Sequence, residues 1–124
     1  MIDFERFTME DGTPIYLQII LYIKRGAVAG SVRDGDELPS RRVLSARLGV
    51  NPNTVQKAYR TLEEEGLIVS PAGARSYVAL SPERLARIRE ELLAQDARSV
   101  IAAMRQMGLG RAEALALIEK YWEE

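Results

Sequence analysis

The chain has 124 residues, enough for one small domain or for a compact domain with an appended segment. Its composition, 47% hydrophobic and 28% charged, is that of a folded globular protein. Its net charge is −1, so the chain as a whole has no excess of basic residues. The absence of cysteine and histidine excludes disulfides and thiolate metal sites and removes the commonest general base. We therefore predict a protein that is not an enzyme, with no catalytic residue, metal or cofactor.

The most apolar run, PIYLQIILYI at 14–23, is about half of the ~20 residues that a membrane span needs. We predict that it forms a core helix and that no segment spans a membrane. The first twelve residues carry acids where a signal peptide carries bases, so we expect a cytoplasmic protein. This N-terminal arm either extends or packs through its apolar residues, which are Ile2, Phe4 and Phe7.

The first helix is predicted from Pro14 to Gly30. Proline suits the first position of a helix, and apolar residues then recur at intervals of three and four. Gly30 ends this pattern and the loop SVRDGDELP follows it. Asp-Gly favours a turn there, and Pro39 disfavours helical backbone in the residue before it.

Two short helices separated by a tight turn come next. Ser40 is a good N-cap for RRVLSARL, which Gly49 ends. The apolar residues of this helix are predicted to face inward: Val43, Leu44 and Leu48. The next helix is capped by Asn51, runs to Gly66 and carries one apolar stripe, formed by Val55, Ala58, Tyr59 and Leu62. Together the two helices form a helix-turn-helix pattern.

The runs LIVS and RSYVAL, separated by PAGA, predict a β-hairpin, and Ser81-Pro82 starts a further helix that glycines break near Gly108. A last helix begins at about Arg111.

The apolar stripes of these two helices suit pairing with a second copy of the chain; the alternative is that they fold back on the preceding domain. The predicted dimerisation residues are Leu85, Ile88, Leu92, Val100, Met104, Leu115, Ile118 and Trp122.

Between Leu38 and Leu62 the chain has bases and no acid: Arg41, Arg42, Arg47, Lys57 and Arg60. The apolar stripe leaves six polar residues outside or at the start of the second helix: Asn51, Asn53, Thr54, Gln56, Lys57 and Arg60. Asn and Gln can pair with adenine, and Arg and Lys with guanine or phosphate. We predict contact with duplex DNA. The simpler alternatives are a solvated helix face and, for Asn51, capping alone.

The segments TPIYLQI and GDELPSRRVLSARLGVNPNTVQKAYRTLEEEGLI, with the hairpin after them, resemble the winged helix-turn-helix domain of the GntR family of bacterial transcription regulators. NPNTV with a short helical tail resembles its YtrA subfamily. The resemblance spans Thr13 to about Leu80. It implies that Arg42 binds phosphate or a base edge, and that the wing turn at Gly73 approaches the minor groove. Arg75 stands where the family has a second wing glycine, and Arg41 where it often has an acid.

The predicted fold is therefore mainly α with a small β-hairpin: a winged helix-turn-helix domain over residues 1–80 and a C-terminal two-helix dimerisation segment over 81–124. The predicted function is a repressor-like regulator that binds an inverted-repeat DNA operator as a homodimer, with a small-molecule effector left open. The main alternative is a winged helix that binds protein instead of DNA. A metal site at Asp34, Asp36 and Glu37 is the weakest alternative, because acids beside a glycine turn usually form a surface loop.

Overall fold

The computed structural model describes residues 1–72 and 75–124. Its elements are α1 (Ile15–Ala29), α2 (Arg41–Leu48), α3 (Pro52–Glu64), β1 (Ile68–Val69), β2 (Tyr77–Val78), α4 (Pro82–Gln106) and α5 (Arg111–Tyr121). The two strands pair antiparallel, Ile68 with Val78 and Val69 with Tyr77. The mainly helical fold with a small hairpin is thus confirmed. Within the described ranges, no helix combines the length and the apolar character that crossing a bilayer requires.

The helix ends follow the local signals in the sequence. Ser40 Oγ accepts a hydrogen bond from the Val43 N–H at 3.1 Å, and Asn51 Oδ1 accepts one from the Asn53 N–H at 2.8 Å. Each side chain satisfies a backbone donor that has no partner inside its helix. Gly49 ends α2 with φ of 68°, a left-handed conformation that glycine adopts without steric cost. The predicted turn between α2 and α3 is confirmed.

The core of the winged unit lies where α3 packs against α1 and α2. The predicted stripe of α3 is fully buried: Val55, Ala58, Tyr59 and Leu62. Ile19 of α1 and Leu44 of α2 are also fully buried. The prediction for Val43 is wrong, since this side chain is 55% exposed. Leu44 and Ser45 take the inward face of the eight-residue α2, and Val43 points away from it.

The N-terminal arm packs onto the fold. Phe4 is buried and stacks on Tyr22 of α1, with ring centroids 5.0 Å apart. The Tyr22 hydroxyl donates to the Asp3 carbonyl at 2.7 Å, and the Ile2 N–H donates to the Glu37 carbonyl at 2.8 Å. The arm therefore joins α1 to the loop before α2, as the packing alternative predicted.

The chain forms two compact units, Met1–Ile88 and Arg89–Glu124. The predicted boundary lies at 80/81, whereas the units divide inside α4. The first turn of α4 is tied to the winged unit, because the Arg84 guanidinium donates to the carbonyl of Gly66, just after α3. Helix α4 also runs unbroken through the polar stretch near Asp96.

Tyr59 connects α3 to the start of α2. Its side chain is fully buried, and its hydroxyl donates to the buried Pro39 carbonyl at 2.7 Å. Burial raises the pKa of the Tyr59 hydroxyl, and the charge of nearby Arg41 opposes this only in part. The folded chain therefore holds the phenol proton more tightly than the unfolded chain, whose tyrosine pKa is about 10.

We expect Tyr59→Phe to lower the free energy of unfolding by about 1–3 kcal/mol at neutral pH, because the Pro39 carbonyl loses its donor. As pH rises above about 10, the unfolded parent chain releases the phenol proton while the folded chain keeps it, so parent stability falls by up to ~1.4 kcal/mol per pH unit. This loss should be smaller in the variant. Urea unfolding across alkaline pH measures both effects. Tyr77→Phe is the control, because the Tyr77 hydroxyl bonds to none of the described residues; equal pH dependence of parent and Tyr59→Phe contradicts the prediction.

Candidate nucleic-acid interface

Helix α3 presents a polar face opposite its buried stripe. Asn53, Lys57 and Arg60 are exposed there, and Thr54 and Gln56 are half-buried at its edges. Asn53 and Arg60 are seven residues apart, about two helical turns, so they lie along one line of the helix surface. This face has the donors and acceptors that read base edges and the cations that bind phosphate.

Two cations of the helix-turn-helix have no ion-pair partner among the described residues. Arg42 near the start of α2 and Arg60 on α3 are exposed, and neither forms an ion pair with any residue that the structure describes. Their charges are therefore available to an external anion. Arg47 is only loosely paired, because its guanidinium lies 3.7 Å from Glu5 and both side chains are exposed.

Arg41 differs from its neighbour Arg42. Its Nη2 lies 2.8 Å from Glu63 Oε1, and its guanidinium carbon lies 5.1 Å from the centroid of the Tyr59 ring. The Nε atom is buried and has no partner among the described residues. Arg41 therefore holds α2 against the end of α3, a contact that its sequence position beside Arg42 does not reveal.

The acidic end of α3 is also engaged within the chain. Glu63 Oε1 accepts from the Ser70 hydroxyl at 2.9 Å as well as from Arg41, and the hydroxyls of Ser70 and Ser76 lie 2.6 Å apart. Glu65 Oε2 lies 3.1 Å from Lys24 Nζ on α1. Glu63 and Glu65 thus join the end of α3 to α1, to α2 and to the base of the hairpin. These contacts offset the unfavourable interaction of their negative charges with the negative C-terminal end of the helix dipole.

The wing turn itself, Gly73, lies outside the described residues. Arg75, on its C-terminal side, is 72% exposed and its Nη1 lies 3.0 Å from Glu37 Oε1. The backbone of the loop before α2 pairs with β2: the Leu38 N–H donates to the Ser76 carbonyl at 2.9 Å, and Glu37 forms a bridge with Tyr77. The base of the wing is therefore joined to the start of α2.

The acids considered as a metal site have other partners. Asp34 accepts from the Leu80 N–H, Asp36 accepts from the Arg33 N–H, and Glu37 pairs with Arg75. Their carboxylates fasten the loop before α2 to its surroundings. No cluster with the composition of a metal site occurs among the described residues.

A helix-turn-helix followed by a hairpin, whose second helix has a polar face with no acid from Asn53 to Arg60, defines the winged helix-turn-helix class of DNA-binding transcription regulators. The model of the gntR family of bacterial regulatory proteins matches residues 15–78. The chain belongs to the GntR family and is a DNA-binding transcription regulator, as the sequence predicts.

The HTH-type transcriptional repressor YtrA of Bacillus subtilis (strain 168) is 41% identical over 86 residues, which cover 64% of this chain and 66% of that protein. This similarity confirms the predicted YtrA subfamily. A GntR family transcriptional regulator from Listeria monocytogenes has a TM-score of 0.81 and 33% identity, covering 90% of this chain and 98% of that one. The DNA-binding domain of AraR in complex with operator ORX1 has a TM-score of 0.51 and 28% identity, covering 58% and 87%.

The sequence missed one residue that borders this face. Tyr16, in the first turn of α1, contacts Lys57 of α3 through its ring. The helical period of α1 does not show this, because α1 and α3 are separated in the sequence by the loop and by α2. A pattern within one helix gives no information on which residue of another helix lies beside it.

Proposed function

We propose that this chain is a repressor that binds an inverted-repeat operator as a homodimer and blocks transcription by occupying it. The main support for DNA contact is the exposed face of α3, which includes Arg60, together with exposed Arg42 of α2; neither cation has an ion-pair partner in the described ranges. The name of YtrA as a repressor and the operator complex of AraR support the same mode of action. A bacterial regulator acts where the DNA is, so we place it in the cytoplasm and propose no catalytic role.

The proposed contacts fall into two groups. Asn53, Thr54 and Gln56 read base edges, since the amides of Asn and Gln match adenine and the hydroxyl and methyl groups of Thr can contact base edges. The second group is cationic and binds phosphate, or guanine in the case of Arg60: Arg42, Lys57, Arg60 and Arg75. Arg41 and Asn51 are left out of both groups, because Arg41 contacts Glu63 and Tyr59 and the Asn51 oxygen caps α3. The predicted contact by Gly73 stays a prediction.

The proposed dimer rests on apolar surface in the unit Arg89–Glu124. Helix α5 has eleven residues, none of them buried. A helix this short is marginal in water and depends on packing for its stability. The exposed apolar residues on α5 and directly after it include Leu115, Ile118 and Trp122, the last 77% exposed. A second copy would cover them and stabilise α5.

A groove of about 660 Å³ lies between α5 and the end of α4. Its apolar lining includes predicted dimerisation residues, namely Val100, Met104, Leu115 and Ile118. The proposed interface uses these side chains and Trp122. Leu85 is half-buried, and Ile88 and Leu92 are already buried within the chain, so the interface does not depend on these three. No site is proposed for an effector.

Selection of bound duplexes from a random pool tests this function. We expect the enriched sequences to share an inverted repeat, with half-site centres about one helical turn or a multiple of it apart, because a two-fold dimer presents two α3 helices to one side of the DNA. The variant Lys57→Ala/Arg60→Ala, put through the same selection, serves as the control and should enrich far less. Failure of the parent to enrich any duplex at low ionic strength would favour a winged helix that binds protein.

A further inference from the structure

The side chain of Lys57 rests on an aromatic ring from another helix. Its Nζ lies 4.0 Å from the centroid of the Tyr16 ring. Lys57 projects from the second turn of α3 and Tyr16 from the first turn of α1. A cation over a ring face is attracted by the negative charge of the π-system, so the contact restrains the flexible lysine stem.

The contact draws Lys57 to one edge of the exposed face. Asn53 and Arg60 run along its middle, whereas Lys57 leans toward α1 and Gln56 lies on the opposite edge. The Lys57 ammonium therefore lies at the edge of the exposed face that is next to the first turn of α1. A cation at the border of a recognition helix is suited to a phosphate beside the groove.

The kind of partner decides whether the charge remains available. Lys24 and Arg41 pair with carboxylates, at 3.1 and 2.8 Å, and their charges are largely cancelled. An aromatic ring attracts the ammonium without adding a negative charge, and no ion pair joins Lys57 to any described residue. Tyr16 therefore orders Lys57 while its full charge remains free to attract an anion.

We propose that Tyr16 is a positioning residue for DNA binding: its ring holds Lys57 at the α1 edge of the interface as a phosphate-binding charge. Tyr16 acts through Lys57 and contributes no contact of its own. The contact with phosphate is independent of sequence, so it adds affinity for every duplex and not selectivity among them. This inference rests on the proposed function of the α3 face.

A double-mutant cycle of Tyr16→Leu and Lys57→Met tests the proposal, with the duplex enriched by selection and a mixed-sequence duplex as probes. We expect Tyr16→Leu to weaken binding of both by the same factor, about two- to five-fold. Lys57→Met should weaken both and lower the slope of log affinity against log salt by about one. In the Lys57→Met background, Tyr16→Leu should have no further effect.

Tyr16→Phe is the matched control, because it keeps the ring and should bind as the parent does. If Tyr16→Phe loses as much affinity as Tyr16→Leu, the hydroxyl matters instead of the ring and the proposal fails. It also fails if the Tyr16 and Lys57 effects simply add. If the parent chain binds neither duplex, the proposed function itself is wrong, and this inference fails with it.

The contact can also be tested without DNA. In the free chain, the ring current of Tyr16 should shift the NMR signals of the Lys57 Hε protons upfield. The shift should persist in Tyr16→Phe and disappear in a Tyr16→Leu protein whose other signals show it to be folded. Equal Lys57 shifts in all three proteins overturn the proposed contact, even if Tyr16→Leu binds DNA poorly for another reason.

Discussion

Replacing Lys57 and Arg60 together by alanine should weaken binding to the selected operator about 10- to 100-fold. Both side chains are exposed on α3, and Arg60 has no partner among the residues that the structure describes. Each is proposed to form a charge-assisted contact with DNA, and water replaces such a contact only in part when the side chain is truncated. If both contact phosphates, two fewer counterions are released on binding, and the slope of log affinity against log salt should become shallower by about two.

Fluorescence anisotropy over a range of salt concentrations measures both quantities. The control variant is Arg87→Ala/Arg98→Ala, which removes the same charge from exposed positions on α4. It should reduce affinity slightly, because the protein as a whole attracts DNA less strongly after losing two positive charges. The slope of log affinity against log salt should remain nearly unchanged. Thermal unfolding checks that both variants keep the fold. If the parent and the Lys57→Ala/Arg60→Ala variant bind duplex DNA with equal affinity, α3 is not the surface that contacts DNA.

Local sequence signals predicted the elements of the winged unit because they act within a few residues. Ser40 and Asn51 cap their helices as the sequence indicates, and the four apolar residues of α3 are all buried. A cap needs only the backbone two or three residues ahead, and a stripe needs only the helical period. The family resemblance then extended these elements to the function.

Contacts between distant segments could not be predicted in the same way. Arg41 was predicted to bind DNA with Arg42, and the two are indistinguishable as bases in RRVLSARL. The structure brings Glu63, 22 residues later, within 2.8 Å of Arg41 and not of Arg42. Only the packing of α2 on α3 decides which guanidinium meets that carboxylate. The burial of Val43 could not be predicted for the same reason. In a short helix, the sequence pattern does not determine which residues at the edge of the apolar face are buried.

These distant contacts explain how the recognition helix is supported. Glu63 is bonded to α2 and to the hairpin, Glu65 to α1, and the Tyr59 hydroxyl to the segment before α2. Helix α3 is therefore held along its inner side and at its C-terminal end, while Asn53 and Lys57 on the outer side of its N-terminal turns remain exposed. We expect such support to orient the proposed DNA-reading face before DNA binds, which lowers the conformational-entropy cost of binding.

Replacing Leu115 and Ile118 by glutamate should convert a dimeric parent into a monomer. Both residues lie on the exposed apolar stripe of α5 and line the groove with α4. Two carboxylates in a closed interface would lose hydration without gaining partners, a cost of several kcal/mol for each ion. Sedimentation should then change from a dimer of the 13.9 kDa chain to a single chain.

The control variant is Ala112→Glu/Ala116→Glu. Both alanines are exposed on α5 and neither lines the groove with α4, and the variant adds the same charge to the same helix. It should remain dimeric. A parent that sediments as a single chain at micromolar concentration, or a Leu115→Glu/Ile118→Glu protein that remains dimeric, contradicts the proposed interface.

The loss of the dimer should appear in DNA binding in a way that separates it from damage to α3. A dimer binds the second half-site at a high effective concentration, so its affinity for the full inverted repeat exceeds that for one half-site by 10²-fold or more. The Leu115→Glu/Ile118→Glu variant should lose this advantage and bind the half-site about as well as the parent. The Lys57→Ala/Arg60→Ala variant should instead lose affinity for both. The two variants therefore separate what α3 contributes to each half-site from what α5 contributes by joining the two.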